Sequence, residues 1–373
     1  MKMPALDDRL KRELAASASV GLRRVLRPTE VVSGVRVVRE GRELVSFSGN
    51  DYFGLSQRPV VKAAAKDALL RAGVGAGASR LITGNHPYYA SLEARLAAMK
   101  QTEAALVVGS GYLANLGAIP ALVGKGDLIL ADRLVHACIL DGAALSGAML
   151  KRFKHNDMED LERILMKYRR EHNQCLVVTD HVFSMDGDVA PLVKMRALCD
   201  AHDAILMVDD AHGLGIVEPA ATPDIWMGTL SKAAGGYGGY LAGSQALIDY
   251  LINTMRSFIF STALPPATVA AADAALEIMS SELRTKTLAL ARRFTKALNL
   301  ATAQSAIVPV MLGDAAIALE ASRKLEAQGF LVSAIRPPTV PPGTARLRVT
   351  FSALHDESMV DALVAAIKEE RIL

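Results

Sequence analysis

Short apolar runs that alternate with helical patterns restrict the fold of this chain more than any other feature. Three runs are apolar throughout rather than at every second position: "AALVVGS" at 104–110, "QCLVVTD" at 174–180 and "DAILMVDD" at 203–210. Continuous apolar runs are typical of strands that are covered on both faces. Helical patterns such as "YYASLEARLAAMK" and "DMEDLERILMKYRREH" lie between them. The alternation predicts βαβ units and an α/β fold with a mainly parallel sheet.

A second, smaller α/β unit is predicted after about residue 265, where the pattern of apolar residues changes. Pro265-Pro266 opens a long helical stretch, and the predicted strands "AIVPVML", "FLVSAI" and "ARLRVTFS" then alternate with helical patterns up to a last helix that starts at Asp356. A chain of 373 residues is also too long for one small core. We expect an N-terminal segment over 1–45, a large domain over 46–265 and a small domain over 266–373.

Composition narrows the class of protein. Hydrophobic residues make up 51% and charged residues 22%, and the net charge is only +3, which indicates a globular chain and gives no case for a nucleic-acid partner. Cys138, Cys175 and Cys199 lie far apart, without metal-ligand spacing, and are interpreted as buried thiols in a reducing compartment. The N-terminus lacks the apolar core of a signal peptide, and no apolar run approaches the roughly 18 residues of a membrane span. We expect a cytoplasmic enzyme with no metal and no membrane partner.

The segment "GTLSKAAGGYGG" at 228–239 is the first candidate for chemistry. Lys232 follows two hydroxyl residues, Thr229 and Ser231, and precedes a glycine-rich run that makes poor helix. A solvated lysine on a surface loop is one interpretation. The other is a nucleophilic amine on a tight turn, beside hydroxyls and backbone amides that hold an anion.

Further candidates follow the predicted strands, because open parallel sheets bind ligands beyond the carboxyl ends of their strands. In "GSGYLANLG", a glycine turn opens a helix whose free amides suit a phosphate, although a plain strand-to-helix turn fits that segment equally well. In "DDAHG", Asp209 and His212 follow a buried strand, where a carboxylate needs a partner; a structural salt bridge is one interpretation and part of a site is the other. "TDHVFSMDGD" offers Ser184, and "ADRLVHACILDG" offers His136, although a single histidine is more often structural.

The glycines of "AGVGAGASRLITG" at 72–84 partly match a dinucleotide-binding fingerprint. That motif has to follow a strand, and the preceding "RPVVKAAAKDALLRA" is a helical pattern. A nucleotide site of that kind is therefore not predicted. Together, an amine, a buried acid, histidines and a phosphate cradle at strand ends suit pyridoxal 5′-phosphate, which needs a lysine for its aldehyde, donors for its phosphate and a carboxylate for its ring nitrogen.

In these motifs the chain resembles the α-oxoamine synthases, a group of fold type I pyridoxal-phosphate enzymes of the aspartate aminotransferase type. The resemblance runs from about residue 20 to about 365. It is carried by "SFSGNDYFGLS", "GSGYLANLGA", "ADRLVHACILDGA", "RFKHND", "HVFSMDGDVAPL", "VDDAHGLG", "TLSKAAGGYGGYLAG", "FIFSTALPPA" and "IRPPTVPPGTARLRVTFSALH". Each motif is weak or moderate alone, but their combination and order are specific.

The resemblance implies a role for each matching residue. Lys232 would form the Schiff base and move the α-proton, Asp209 would bind the pyridine nitrogen, and His136 would stack on the ring. His212 and Ser184 would lie near the ring oxygen. The other implied cofactor contacts are Gly111, Tyr112, Thr229, Ser231 and, from a partner subunit, Ser261 or Thr262. The implied substrate contacts are Arg23, Asn50, His136, Arg336 and Thr339.

The implied reaction is a decarboxylative condensation in a homodimer with active sites at its interface. "DDAHG" and "IRPPTVPPGTARLR" most resemble the members that join L-alanine to a pimeloyl thioester, on coenzyme A or an acyl carrier protein, in biotin synthesis. Another α-oxoamine synthase, of the glycine C-acetyltransferase, 5-aminolevulinate synthase or serine palmitoyltransferase type, is the alternative; a non-enzymatic effector-binding protein is a third. The chain departs from the pattern at Asp180, where glutamate is usual, at Tyr89, where histidine is frequent, and in a short segment before "MGTLSK".

Overall fold

The computed structural model describes residues 5–373 and divides them into two compact units. The larger unit contains residues 50–288 and 304–306, and the smaller contains the described residues through Gly49 together with 289–303 and 307–373. The first four residues of the predicted N-terminal segment lie outside the described residues. No helix in the described part of the chain is long and apolar enough to cross a membrane.

Thirteen helices are present in residues 5–373. They are α1 (Ala5–Ser19), α2 (Pro59–Ala72), α3 (Tyr88–Lys100), α4 (Gly111–Leu122), α5 (Ala137–Ser146), α6 (Met158–Tyr168), α7 (Leu192–Ala201), α8 (Gln245–Thr254), α9 (Arg256–Ile259), α10 (Pro266–Glu277), α11 (Ser281–Ala297), α12 (Ala315–Ala327) and α13 (Glu357–Glu369). Short 3-10 turns lie at Leu55–Gln57 and Arg169–Glu171, and a single π-helical turn covers Arg80–Gly84.

The same part of the chain forms fourteen strands. They are β1 (Glu30–Ser33), β2 (Arg36–Arg39), β3 (Arg42–Ser46), β4 (Ala104–Val108), β5 (Leu128–Asp132), β6 (Met149–Phe153), β7 (Cys175–Asp180), β8 (Ile205–Asp209), β9 (Ile225–Thr229), β10 (Gly239–Gly243), β11 (Ile307–Gly313), β12 (Phe330–Leu331), β13 (Ser333–Ile335) and β14 (Ala345–Thr350).

The larger unit is built on a seven-stranded sheet in the order β4-β10-β9-β8-β7-β5-β6. Strands β5 to β9 pair in parallel, whereas β10 runs antiparallel to both β9 and β4. The expected mainly parallel sheet is confirmed, with one reversed strand. The register aligns Asp180 with Asp209, so β7 and β8 end at the same edge.

Both faces of this sheet are covered by helices, as the continuous apolar runs predicted. Along β7, Cys175 and Val177 belong to one core and Leu176 and Val178 to the other, because successive side chains of a strand point to opposite faces. Helices α3, α6, α7 and α10 contribute to the first core, and α4, α5, α8 and α9 contribute to the second. All six residues of β7 are buried.

The smaller unit holds a four-stranded sheet, β1-β2-β3-β12, and a three-stranded sheet, β11-β14-β13. The predicted single strand "FLVSAI" is wrong as one element. Phe330 and Leu331 pair in parallel with β3, whereas Ser333–Ile335 pair antiparallel with β14. The chain therefore passes from one sheet to the other at Val332, which is fully buried.

The long helical stretch after Pro265-Pro266 is likewise two helices, α10 and α11. Ser280 starts the second one, because its hydroxyl accepts a hydrogen bond from the Leu283 N–H at 3.4 Å, which the helix itself leaves unpaired. Helix α10 packs along α2 within the larger unit. The compact units therefore differ from the expected boundaries: residues 266–288 belong to the larger unit, and β1–β3 join the smaller one.

Candidate active site

Strands β4, β5, β7, β8 and β9 present their carboxyl ends at one edge of the seven-stranded sheet. A cleft with about 660 Å³ of empty volume opens there, within the larger unit. It is lined by Ser110, Gly111, Tyr112, His136, Cys138, Asp180, Asp209, Ala211, His212, Met227, Thr229, Ser231 and Lys232. Most of the residues proposed for cofactor chemistry thus meet in one place.

Lys232 lies in a tight turn between β9 and β10. The turn is closed by hydrogen bonds from Gly236 N to Leu230 O at 2.8 Å and from Leu230 N to Gly238 O at 2.9 Å. Gly235 has φ of +64°, and a Cβ there would lie 3.0 Å from Ser56 Cα, so this position favours glycine. The glycine-rich sequence therefore makes the turn that holds the amine in the cleft.

The start of α4 faces the hydroxyls that precede Lys232. Thr229 Oγ1 and Ser231 Oγ are 2.8 Å apart, and a Cβ on Gly111 would lie 3.3 Å from Thr229 Cβ. Ser110 caps α4 by accepting from Leu113 N at 3.2 Å. The first N–H groups of a helix have no partner within it and carry partial positive charge, so the α4 N-terminus and the two hydroxyls suit an anion.

Asp209 is the buried carboxylate of the cleft, with 4% of its surface exposed. Oδ1 accepts from Ala211 N at 2.9 Å and Oδ2 accepts from Asn115 Nδ2 at 2.8 Å. Burial raises the pKa of Asp209, and the ammonium of Lys232 and these two hydrogen bonds oppose that shift. A cationic nitrogen placed against Asp209 would compensate the buried charge.

The neighbouring Asp210 points to the opposite face of the sheet. It accepts from Lys100 Nζ, and its Oδ1 lies 2.5 Å from His181 Nδ1. Burial opposes the ionisation of Asp210, but Lys100 and His181 outweigh it and hold the pKa below its usual value. Asp210 and His181 are not among the residues that line the cleft.

His136 caps α5 and faces the cleft beside Tyr112, whose ring lies edge-on at a centroid distance of 6.5 Å. Burial lowers the pKa of His136; the charges of Asp209 and Asp141 oppose this and the Lys232 ammonium adds to it, so the net shift favours the neutral imidazole. The backbone N–H of His136 donates to Asp180 Oδ1 at 3.2 Å. Burial and the nearby Asp209 raise the pKa of Asp180.

His212 is linked to Asn50 through a tyrosine that the sequence analysis did not assign. The Tyr52 hydroxyl lies 2.6 Å from His212 Nδ1 and donates to Asn50 Oδ1 at 3.3 Å. Tyr52 is buried, with 1% of its surface exposed. The link orients the His212 ring toward the cleft that it lines.

Other predicted site residues lie outside this cleft lining. Ser184 is in the turn after β7. Ser261 and Thr262 line a separate small pocket with Arg80 and Tyr89, and Thr262 forms a bridge with Ser79.

Arg23, Arg336 and Thr339 belong to the smaller unit. Arg336 Nε donates to Gly21 O at 2.8 Å, and its Nη2 donates to Arg23 O at 3.2 Å. Arg24 Nη2 donates to Thr339 Oγ1 at 3.2 Å.

Sequence reasoning missed Asn115, Tyr52 and the placement of Cys138 in the cleft. A polar side chain inside the apolar helix "GYLANLGAIPAL" was the available indication for Asn115. Tyr89, noted as a departure from the family pattern, accepts from Leu264 N at 2.8 Å and lies under the Arg80 guanidinium at 3.9 Å. That tyrosine has a structural role outside the cleft lining.

The cleft residues fit pyridoxal 5′-phosphate. Lys232 offers an amine for an aldehyde, and the α4 N-terminus with Thr229 and Ser231 suits a phosphate. Asp209 is a buried carboxylate with a raised pKa, and a protonated ring nitrogen beside it would lower that pKa again. Fold and cleft together define a fold type I pyridoxal-phosphate enzyme.

Comparison with known proteins agrees with this class. Residues 42–367 match the model of the family described as aminotransferase class I and II, and the chain belongs to that family. Its cofactor is pyridoxal 5′-phosphate.

Individual relatives are more specific. The chain is 56% identical over 368 residues to 8-amino-7-oxononanoate synthase of Methylobacterium nodulans, covering 98% of this chain and 97% of that protein. A structure of serine palmitoyltransferase with its pyridoxal-phosphate internal aldimine superposes with a TM-score of 0.92 at 31% identity, with both chains fully covered. 8-amino-7-oxononanoate synthase of Francisella tularensis superposes with a TM-score of 0.75 at 26% identity, covering 88% of this chain and 98% of that one.

Proposed function

We propose that this chain joins L-alanine to a pimeloyl thioester with loss of carbon dioxide, giving 8-amino-7-oxononanoate in biotin synthesis. The observation that carries the proposal is the cleft itself: an amine, a buried acid, a neutral histidine and an anion cradle meet at one sheet edge. Identity of 56% over nearly the full length of a relative with that activity in its name supports the choice of substrates.

Pyridoxal phosphate supplies a conjugated ring that accepts the electrons released from the α-carbon of the amino acid. Lys232 would hold the cofactor at its aldehyde carbon, and its amine, once the incoming amino acid has displaced it from that carbon, would carry the α-proton at Nζ. Asp209 would hold a proton on the ring nitrogen, because a charge-assisted hydrogen bond in this buried position is strong. Thr229, Ser231, Gly111 and Tyr112 would bind the phosphate.

His136 would stack on the cofactor ring, and His212 and Ser184 would contact the ring oxygen or its surroundings. A neutral imidazole suits this place, since a second cation beside a protonated ring would be repelled. The Asn50–Tyr52–His212 hydrogen bonds orient His212 from the substrate side.

The assembly proposed for this chain is a cytoplasmic homodimer in which Ser261 or Thr262 of a partner subunit completes the phosphate site. This rests on the resemblance of "FIFSTALPPA" to the corresponding family segment. The acyl group arrives on coenzyme A or on an acyl carrier protein; both are thioesters, and the assay below separates them.

The test is a substrate matrix on the purified, cofactor-loaded protein. Alanine, glycine and serine are each combined with pimeloyl-coenzyme A, pimeloyl-acyl carrier protein and palmitoyl-coenzyme A, and the product is identified by mass. We expect turnover with alanine and a pimeloyl donor, a visible cofactor absorbance, and loss of turnover in Lys232→Ala. Preference for serine and the palmitoyl donor would instead assign the chain to the activity of its structural neighbour.

Arg336 is proposed to bind the alanine carboxylate, with Arg23, Asn50, His136 and Thr339 as the other substrate contacts. A guanidinium offers planar pairs of donors that an ammonium cannot reproduce. Arg336 Nε and one Nη2 hydrogen donate to Gly21 O and Arg23 O, which leaves the Nη1 hydrogens and the second Nη2 hydrogen for a carboxylate. Arg336→Lys should raise the KM for alanine about tenfold or more and leave the KM for the thioester nearly unchanged. A two-substrate steady-state series measures both constants. A change confined to the thioester constant assigns Arg336 to the acyl donor instead.

A further inference from the structure

One amide nitrogen links two elements of the cleft. Asn115 Nδ2, on α4, lies 2.8 Å from Asp209 Oδ2 and 3.1 Å from Cys138 Sγ. All three side chains are buried, with 0%, 4% and 2% of the residue surface exposed for Asn115, Asp209 and Cys138. An NH₂ group has two hydrogens, so Asn115 can donate one to the carboxylate at the end of β8 and one to the sulfur in the first turn of α5.

The sulfur continues the connection to His136. Cys138 Sγ lies 2.8 Å from His136 Nδ1, and Cys138 N donates to the same nitrogen at 3.3 Å. Burial, and then the charge of Asp209, raises the pKa of the Cys138 thiol to about 12, so the group keeps its proton. A thiol that accepts from Asn115 can donate its S–H to Nδ1, which leaves the imidazole proton on Nε2.

The orientation of the amide is set by charge. Reversing Asn115 would bring Oδ1 against the Asp209 carboxylate, and two acceptors would then repel each other. In the orientation with Nδ2 toward Asp209, Oδ1 is buried and has no partner among the described residues. An apolar side chain would fill this position without such an acceptor, so the contribution of Asn115 is its two donated hydrogen bonds.

Close helix packing makes the link geometrically available. A Cβ on Gly142 of α5 would lie 2.8 Å from Asn115 O and 3.1 Å from Ile119 Cδ1. Glycine at this position therefore lets α5 approach α4 closely enough for Asn115 to reach the Cys138 sulfur.

We propose that Asn115 and Cys138 are positioning residues that couple Asp209 to His136: the amide fixes the carboxylate, and the thiol, together with the Cys138 backbone N–H, fixes the ring and the tautomer of the histidine. The inference deepens the proposed function, because it rests on the roles given there to Asp209 and His136. Neither Asn115 nor Cys138 is required to touch the reacting atoms.

Charged and titratable groups from several elements face His136, and the thiol acts among them. They are Asp209 on β8, Lys232 in the turn after β9, Asp141 on α5, Asp180 on β7 and Tyr112 on α4. Asp209 and Asp141 favour a protonated imidazole, and Lys232 opposes it. The Cys138 S–H adds a directional bond that only the neutral ring accepts, so its loss should make His136 easier to protonate.

The experiment titrates cofactor-free protein with pyridoxal phosphate across a pH series, following cofactor absorbance. The variants are Asn115→Ala, Cys138→Ala and Cys138→Ser, and the serine keeps one donor and its acceptor lone pairs. Cys199→Ala is the matched control, because Cys199 is also a fully buried free thiol but belongs to the core on the other face of the sheet. Circular dichroism and melting temperature are recorded for every variant.

Asn115→Ala should weaken cofactor affinity about tenfold to a hundredfold, the usual effect of removing a hydrogen bond to a buried charge. Cys138→Ala should shift the acid limb of the affinity–pH curve upward by roughly half a unit to one unit. Cys138→Ser should return that limb close to the parent position, and Cys199→Ala should leave affinity and its pH dependence unchanged.

Two results would overturn the inference. In the first, Asn115→Ala and Cys138→Ala titrate like Cys199→Ala; in the second, Cys138→Ser is shifted as far as Cys138→Ala, so that volume rather than hydrogen bonding matters. Cofactor titration does not depend on the acyl donor. A parent protein that binds pyridoxal phosphate but fails the substrate matrix would refute the proposed substrates and leave this coupling standing.

Discussion

Two adjacent aspartates at the end of β8 have different surroundings, although the sequence "DDAHG" gives no means to tell them apart. Side chains alternate between the faces of a strand, so Asp209 enters the cleft and Asp210 enters the core on the other side. Asp209 accepts from Ala211 and Asn115, whereas Asp210 is paired with Lys100 and His181. The first lines the cleft, where it is proposed to act on the cofactor, and the second belongs to a buried ion pair.

Asparagine substitution at each position should separate these roles. Breaking a buried charge pair commonly costs about 3–5 kcal/mol. In Asp209→Asn the lost pair is the one proposed between the carboxylate and the protonated ring nitrogen of the cofactor. We therefore expect weaker cofactor binding and a turnover lower by about a hundredfold or more. In Asp210→Asn it leaves Lys100 buried without its carboxylate, so we expect a destabilisation of about the same size. Cofactor titration, steady-state kinetics and urea unfolding of both variants measure the two effects.

The assignment depends on the contrast between the variants. A turnover in Asp209→Asn within about threefold of the parent, which corresponds to well under 1 kcal/mol, would remove Asp209 from its proposed role. A large loss of turnover in Asp210→Asn with unchanged stability would give that role to the neighbouring residue.

At the scale of elements, His155 ties the ends of two strands to a loop. His155, which follows β6, lies with Nδ1 3.0 Å from Asp132 Oδ1 at the end of β5 and with Nε2 2.7 Å from Asp188 Oδ2 after β7. Burial opposes protonation of the ring, but the hydrogen bonds and charges of Asp132 and Asp188 outweigh it and raise the pKa of His155 to about 10. The protonated ring therefore joins three consecutive segments next to the cleft edge.

This pKa predicts a pH dependence of stability. Because the folded-state pKa lies above the ordinary 6.5, the contribution of His155 is complete below about pH 6.5 and is lost as the pH rises through about 10. His155→Gln should lower the free energy of unfolding by about 1–3 kcal/mol near pH 6. The difference between parent and variant should shrink above pH 10. Urea unfolding at both pH values tests this, and a difference that grows with pH would contradict it.

A glycine sets the distance between β10 and the start of α4. A Cβ on Gly239 would lie 2.5 Å from Gly111 N, closer than atoms can approach, and the obstacle is backbone that cannot rotate away. The antiparallel β10 thus reaches the anion cradle because its first residue has no side chain. This contact connects the one reversed strand of the sheet to the site.

Gly239→Ala should therefore disturb the cradle, lowering stability by about 1–3 kcal/mol as overpacked sites do. It should also weaken pyridoxal phosphate more than pyridoxal, because the phosphate is bound at the displaced helix start. Gly75→Ala is the control, since a Cβ there meets nothing within 4 Å. Equal loss of affinity for the two ligands would mean that the substitution disturbs the whole cleft rather than the cradle.

At the scale of the whole molecule, the cofactor should act as a stabilising ligand. A ligand that binds only the folded state at a hundred times its Kd stabilises that state by about 2.7 kcal/mol. Removing pyridoxal phosphate should therefore lower the melting temperature, and re-addition should restore it in a concentration-dependent way. Differential scanning calorimetry of loaded and cofactor-free protein measures the change. An unchanged melting temperature would mean that the folded chain does not bind the cofactor more tightly than the unfolded one.

Much of the cleft lining could be predicted because several of its residues follow strands. The runs at 104–110, 174–180 and 203–210 form β4, β7 and β8, and their carboxyl ends carry Gly111, Asp180 and Asp209 toward one cleft. Local patterns are enough here, since parallel strands bring their ends to the same edge whatever their order. Lys232 was found differently, from the two hydroxyl residues before it and the glycine-rich run after it, without a prediction of β9.

The errors arose where local sequence does not encode the partner of a segment. "FLVSAI" is uniformly suited to a strand, but Phe330–Leu331 and Ser333–Ile335 pair in different sheets. The break between α10 and α11 depends on the Ser280 cap inside an otherwise helical pattern. Propensity describes a segment alone, whereas these outcomes depend on distant partners or on one side-chain contact.

Periodicity and strand-end position are local properties, so the mainly parallel sheet, the lysine turn and the chemical types gathered at the strand ends could be predicted from the sequence alone. Tertiary packing was needed to show which aspartate faces the cleft, that Tyr52 reaches His212, and that Asn115 lies between Asp209 and Cys138. Asn115 is 94 positions from Asp209, and Tyr52 is 160 from His212. Hydrogen bonds form over about 3 Å in space, and only the packing of helices on the sheet brings such distant residues that close.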